Sequence, residues 1–171
     1  MEKYIGIDKN IMVLDQIVKV CCDTKIDEEL FLFTDIQGKN CTAKGNLLLK
    51  KKEDGVFLQD TFEHEQCLVI TAEGKKILMS GCAHTGILNI LDRYSEICGG
   101  YPDLVISGFH LIQNDPYSEA EKEKIEDLAR KLLKTGAMFY SGHCTGQAAF
   151  DIMKKIMGDR LEQIHSGNVI L

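Results

Sequence analysis

Three short stretches repeat one chemical pattern. "SGCAHTG" (80–86), "SGFH" (107–110) and "SGHCTG" (141–146) each place a histidine just beyond a Ser-Gly pair, and two of them add a cysteine. His84, His110 and His143 are three of the five histidines in the chain. An imidazole beyond a strand end is either a metal ligand through a neutral ring nitrogen or an acid–base group. Several converging imidazoles favour metal, because they would repel one another if protonated. The plain alternative for each is a half-buried histidine bonded to backbone. Zinc, iron and manganese all accept such ligands.

The Thr-Gly that follows two of these turns suggests a second role. Thr85-Gly86 and Thr145-Gly146 stand where helices should begin. The threonines are expected as N-caps, and the free amides could take phosphate or carboxylate. Capping alone is the simpler reading. His143-Cys144 resembles the His-Cys-x5-Arg loop of protein tyrosine phosphatases, but the sixth residue after the cysteine is Phe150. Without the arginine that holds phosphate, Cys144 is expected to be a small buried residue or to support His143. "QDTFEHEQ" (59–66) offers Glu65 and His64 as further support behind the metal ligands, or as part of a charged loop.

Elements must bring these turns together. "CLVITA" (67–72) and "KKILMS" (75–80), joined by Glu73-Gly74, predict a hairpin. Apolar spacing predicts helices over 86–98, from Ser118 to Leu133 and over 146–157, the second opened by a Ser118/Glu121 capping box and stopped at Gly136. "DLVIS" (103–107) and "AMFYS" (137–141) predict buried strands between them. Earlier, "DQIVKVC" and "ELFLFTDI" look like strands, "GKNCTAKG" (38–45) like a turn-rich loop, "NLLLK" like a further strand and Lys50-Lys51-Lys52 like a solvated turn. "LEQIHSGNVIL" closes in a strand-like pattern. Strand–helix alternation after hairpins indicates one layered α/β domain. Ligands in open α/β sheets gather beyond the carboxyl ends of strands, where the three turns lie.

Bulk properties narrow the field. The chain has 171 residues, 44% hydrophobic and 27% charged, with a net charge of −6. That sign argues against nucleic-acid binding, which needs clustered Lys and Arg. No run approaches the ~20 apolar residues of a membrane span. Seven cysteines without a CxxC pair suit reduced thiols in the cytoplasm.

Taken together, "DTFEHEQCLVI", "LMSGCAHTGILNIL", "VISGFHL" and "YSGHCTGQAAFDIM" resemble the metallo-β-lactamase-fold hydrolases. The branch is the one labelled 7,8-dihydropterin-6-methyl-4-(β-D-ribofuranosyl)-aminobenzene-5'-phosphate synthase-like. The resemblance covers residues 60–171, and "KYIGID" resembles the family's middle region. It implies half of an αββα sandwich, a mixed sheet with helices on one face, and a metal site at the sheet edge. His143 matches the family's last metal ligand. Gly81-Cys82 stands where the family has Gly-Asp, so the resemblance implies His84 first and Cys82 second as donor there, with zinc as the metal expected first and iron or manganese as alternatives. His110 would line the pocket as the candidate catalytic group. The family's His-x-His-x-Asp-His has no counterpart, since no histidine precedes His64. The chain is therefore expected to be the C-terminal half of a metal-dependent hydrolase, inactive or incomplete alone and holding its metal weakly. It should pair with a second copy or with a separate N-terminal half, and act on a small, phosphorylated substrate. The competing expectation is a non-catalytic anion-binding or interaction domain derived from that fold.

Overall fold

The computed structural model describes residues 3–38 and 43–170. A seven-stranded mixed sheet forms its frame. Strands β1 (Thr24–Lys25), β2 (Leu30–Phe33), β5 (Cys67–Ala72) and β6 (Lys75–Met79) pair antiparallel in that order. Strands β7 (Leu104–Ile106), β8 (Met138–Ser141) and β9 (Leu161–Gln163) continue it from β6 in parallel. Helices α1 (Ile87–Cys98), α2 (Glu119–Leu133) and α3 (Gln147–Met157) supply the crossovers. A separate ribbon pairs β3 (Lys50–Glu53) with β4 (Val56–Gln59).

Strand alternation decides what each face buries. The row Val69, Leu78, Val105, Phe139 and Leu161 crosses the sheet in register and is fully enclosed. It joins one core with Ile87, Ile90, Leu91 and Tyr94 of α1, Ile125, Ala129 and Leu132 of α2, and Ala149, Phe150, Met153 and Met157 of α3. The helices therefore cover one face. The opposite face carries Leu68, Ile70, Ile77, Leu104, Ile106, Met138 and Tyr140, all half-buried.

The hairpin, the three helices and the strands between them lie where the pattern places them. The capping box on α2 is present: Ser118 donates from its backbone N–H at 2.8 Å and its hydroxyl at 2.6 Å to the Glu121 carboxylate. The first sixty residues depart from expectation. "DQIVKVC" forms no strand, and "NLLLK" begins inside a 3-10 turn, Lys44–Leu48. Asn46 explains this turn, because its side chain is drawn inward and leaves Leu47 and Leu48 facing out. Lys50–Lys52 are strand rather than turn; the turn is Asp54-Gly55, with both residues at positive φ. A two-stranded ribbon exposes both faces, so charge does not oppose the pairing. Of "GKNCTAKG", residues 39–42 lie outside the described residues. At the end of the chain only Leu161–Gln163 joins the sheet, and His165 begins a turn closed by Asn168 N–H on the His165 carbonyl at 3.1 Å. Among the described residues no helix is long and apolar enough to cross a membrane.

Candidate metal and active site

Because β6, β7 and β8 run in one direction, their carboxyl ends open on one side. Backbone bonds lace the three exits together. Ser80 N–H donates to the Ile106 carbonyl at 3.0 Å, Ser107 N–H to Tyr140 at 3.1 Å and Gly108 N–H to Gly81 at 2.8 Å. The serines add a second lattice. The Ser80 and Ser107 hydroxyls meet at 2.8 Å, and the Ser141 hydroxyl donates to the Ser107 carbonyl at 2.8 Å. Each turn also holds one side-chain-bearing residue in left-handed backbone: Ala83, His110 and His143. Such conformations cost of order 1–3 kcal/mol and persist only where surroundings enforce them.

His84 is fixed from several sides. Its backbone N–H donates to the Glu65 carboxylate at 2.7 Å; the Thr85 N–H at 3.0 Å and the Thr85 hydroxyl donate to the other carboxylate oxygen. The Asn46 amide donates to the His84 carbonyl at 2.7 Å, and its oxygen lies 3.0 Å from His84 Nδ1. With Nδ1 protonated towards Asn46, Nε2 keeps a free lone pair, the arrangement common among metal-binding histidines. Phe62 stacks on the ring, 4.5 Å between centroids and 4° from parallel. On the other side the His110 ring lies 4.1 Å away, tilted by 54°.

The neighbouring cluster is built on sulfur. Cys82, His110 and Cys144 bring their ligand atoms within 4.8 Å of one another. Among the described residues they are the one such group able to hold a metal ion. His110 N–H donates to Cys144 Sγ at 3.3 Å, and that thiol faces the Cys82 carbonyl at 3.6 Å. Both ring nitrogens of His110 are buried without a hydrogen-bond partner.

Burial favours the uncharged forms of His84, His110 and Cys144. Burial lowers the pKa of His84 against an opposing pull from Glu65, and burial together with His84 lowers that of His110. The Cys144 thiol is pushed up to about 12, by burial and by its bond with Cys82. A neutral imidazole offers a lone pair to a divalent metal, whereas a cysteine sulfur binds one only as the thiolate, after losing its proton.

The remaining residues are more dispersed. His143 is exposed and borders a hollow of about 300 Å³, with Ser80, Ser107, Gly142, Ile164, His165 and Ser166 around it. No side-chain hydrogen bond or ring contact among the described residues joins His143 to His84 or His110. His64 is exposed, its ring nitrogen 3.9 Å from the Asp60 carboxylate. Thr85 and Thr145 do not cap their helices; Gly86 and Gly146, at φ of 100° and 72°, hold the cap positions. The threonine hydroxyls turn inward. Thr85 binds Glu65, while Thr145 accepts from Phe109 N–H at 2.9 Å and meets the Ser141 hydroxyl at 2.6 Å. At the start of α1, the amide of Thr85 is already taken by Glu65, and that of Gly86 donates to the Ala83 carbonyl at 2.9 Å. The anion at this position is the protein's own carboxylate.

The comparisons agree with this architecture. The chain is 33% identical over 133 residues to the 7,8-dihydropterin-6-methyl-4-(β-D-ribofuranosyl)-aminobenzene-5'-phosphate synthase of Methanocaldococcus jannaschii, covering 77% of this chain and 43% of that protein. Its fold matches the crystal structure of Tm1679, a metal-dependent hydrolase of the β-lactamase superfamily, with a TM-score of 0.69 and 25% identity. That match covers 89% of this chain and 56% of the solved one. The chain has the fold of the metallo-β-lactamase superfamily. The likeness to the synthase supports the synthase-like branch. The chain spans less than half the length of that curated relative. No protein-family profile matches it.

Within this superfamily fold, two contributors to the site escaped the sequence reading. Asn46 lay in a stretch that reads as a strand. Phe62 sits within "DTFEHE" but carries no chemistry of its own. A polar residue inside an apolar run, as in "KGNLLLK", was the one available signal for Asn46.

Proposed function

We propose that this chain is the C-terminal part of a metal-dependent hydrolase, supplying one side of a hydrolytic centre that another polypeptide segment completes. The observation that carries this reading is the His84–His110 contact at the strand ends that also bear His143, in a chain with this superfamily's fold. His84 and His143 are the donors proposed for the hydrolytic metal, with zinc as the metal. Such a metal polarises the bond under attack and makes a water acidic enough to react near neutral pH.

The chain's own residues do the positioning. Glu65 and Asn46 hold His84 in one orientation and one tautomer. His110, kept neutral by burial, packs beside that ring and is a poor source of protons near pH 7. The hollow is largely apolar, with Ile106 and Ile164 in its lining, and the imidazoles of His143 and His165 are the groups proposed to meet a phosphorylated small molecule there. The relative's name, which contains a ribofuranosyl 5'-phosphate, favours that substrate class. The same hollow supports a second reading, an anion-binding domain without hydrolysis.

The half-buried apolar sheet face calls for a cover, since large exposed apolar patches mark interaction sites. A second sheet layer carrying the missing histidines is the proposed cover, with a second copy of the chain as the alternative. The six cysteines among the described residues are free thiols, which suits a reducing, cytoplasmic setting.

The test mixes the chain with the portion of the synthase lying outside the matched region and measures zinc content and phosphodiester hydrolysis. Zinc-dependent hydrolysis that appears only in the mixture, and falls at least about 100-fold in His84→Ala and His143→Ala, is the expected result. Activity unchanged in both variants would refute the hydrolytic assignment. Phosphate binding by the chain alone, without hydrolysis in any mixture, would favour the second reading.

A further inference from the structure

Cys82 was expected beside His84 and His143, yet its sulfur belongs to a different neighbourhood. We propose that Cys82, His110 and Cys144 bind a zinc ion of their own, tying the turns after β6, β7 and β8 together, separately from any metal held by His84 and His143.

Geometry supports the site. Zinc holds sulfur at ~2.3 Å and imidazole nitrogen at ~2.0–2.1 Å, so two thiolates on a tetrahedral ion stand ~3.8 Å apart. The three ligand atoms already lie within 4.8 Å. Closing the widest pair takes at most about 1 Å, within reach of side-chain rotation alone. Two cysteines and one histidine are a zinc donor set that leaves a fourth position for solvent.

The surroundings are shaped for these atoms. A Cβ on Gly108 would stand 2.4 Å from Cys144 Sγ, and one on Gly45 would stand 2.9 Å from His110 Nε2. Both glycines thus leave room that any side chain would fill. His110 N–H points at Cys144 Sγ, a bond that strengthens once the sulfur is a thiolate. The ring nitrogens of His110, buried and unpartnered, carry a desolvation cost that a metal ion would remove. On coordination each thiol releases its proton to solvent and no redox change occurs.

The three turns come from strands separated by long stretches of sequence, and the ion would join them at their tips. This differs from a hydrolytic metal in purpose and in donors. Loss of the ion is expected to loosen the rim while leaving the sheet intact.

Cobalt(II) substitution of the purified chain tests the proposal. A near-ultraviolet sulfur-to-cobalt charge-transfer band is expected, abolished in Cys82→Ser and Cys144→Ser and retained in His143→Ala. Removing groups behind a metal ligand already costs ~10–100-fold in affinity, so losing a ligand should weaken zinc binding by more than ~100-fold. The unmutated chain gives a second reading that does not depend on a variant folding. Zinc should slow alkylation of the half-buried Cys82 at least tenfold, while the exposed Cys21 and Cys22 react at an unchanged rate. A cobalt spectrum without the thiolate band, or alkylation of Cys82 indifferent to zinc, overturns the proposal. A band lost in His143→Ala and kept in both serine variants also overturns it, and assigns the metal to the hydrolytic donors instead. Hydrolysis in the completed enzyme can fail or succeed without altering either readout.

Discussion

The carboxylate of Glu65 holds the turn just before the helix that follows His84, accepting from the His84 N–H at 2.7 Å and from the Thr85 N–H at 3.0 Å. A side chain from the segment before β5 thus sets the backbone from which a candidate ligand projects. Hydrogen bonds to a charged acceptor contribute about 1.5–3 kcal/mol each, and their donors are half-buried or buried here. Glu65→Ala is expected to lower unfolding stability by about 2–3 kcal/mol, measured by urea titration, and Glu65→Gln by less. Equal stability of parent and alanine variant would remove Glu65 from this role.

Asn46 selects the tautomer of His84. Replacing its amide by a carboxylate puts a negative charge 3.0 Å from Nδ1. Asn46→Asp should therefore raise the His84 pKa, which burial holds below the ordinary value. Nitrogen-15 titration of the imidazole reads this directly. An unchanged His84 titration would mean that the Asn46 contact does not persist in solution.

Gly108 and Gly81 provide a matched pair. A methyl group on Gly108 meets Cys144 Sγ at 2.4 Å, whereas one on Gly81 meets nothing within 4 Å. Gly108→Ala is expected to cost about 1–3 kcal/mol through overpacking. Gly81→Ala should stay within about 0.5 kcal/mol of the parent. Thermal unfolding of the two variants side by side decides it; equal effects would contradict the packing described.

Glu121 gives the fold a pH dependence. Hydrogen bonds from the Lys44 ammonium and from Ser118 hold its carboxyl at about 2, below the ordinary 4.5. The unfolded chain then takes up the proton first as pH falls. The stabilisation is complete above about 4.5 and is lost as pH drops from there through about 2. Glu121→Gln should melt earlier than the parent at pH 7, with the gap closing towards pH 2. A gap that does not change with pH would rule out the carboxylate as its source.

Periodicity made the C-terminal hundred residues legible. Ile87, Leu91 and Tyr94, or Ile125, Ala129 and Leu132, announce their helices because a single core receives them all. The Ser-Gly-His turns were legible for a related reason: residues beyond parallel strand ends have few other places to go. What the pattern concealed was which donors meet. Cys144 read as a small buried residue or as support for His143; it is buried, and left-handed backbone at His143 turns the two side chains to different sides, one to the hollow and one to the thiol cluster. The threonines read as caps because their spacing suits that role, but Glu65 and Ser141 compete for the same hydroxyls. Helix-start spacing alone shows neither outcome: Glu65 reaches Thr85 across 20 residues and Phe109 N–H reaches Thr145 across 36, while backbone twist parts His143 from Cys144. Asn46 was hidden for the same reason, reaching His84 across 38 residues of sequence.

The ribbon of β3 and β4 is exposed along nearly all of its length, and it follows directly on the turn that carries Asn46. Gln59 ties the two together by donating to the Asn46 carbonyl at 2.8 Å. Segments with so little buried surface open at a small fraction of the global unfolding free energy. The imidazole of His84 is held by ring contacts with Phe62 and His110 and, at Nδ1, by Asn46, which sits beside this exposed ribbon. Opening of the ribbon would loosen the hold at Nδ1 while the Phe62 and His110 contacts and the packed helices stay in place.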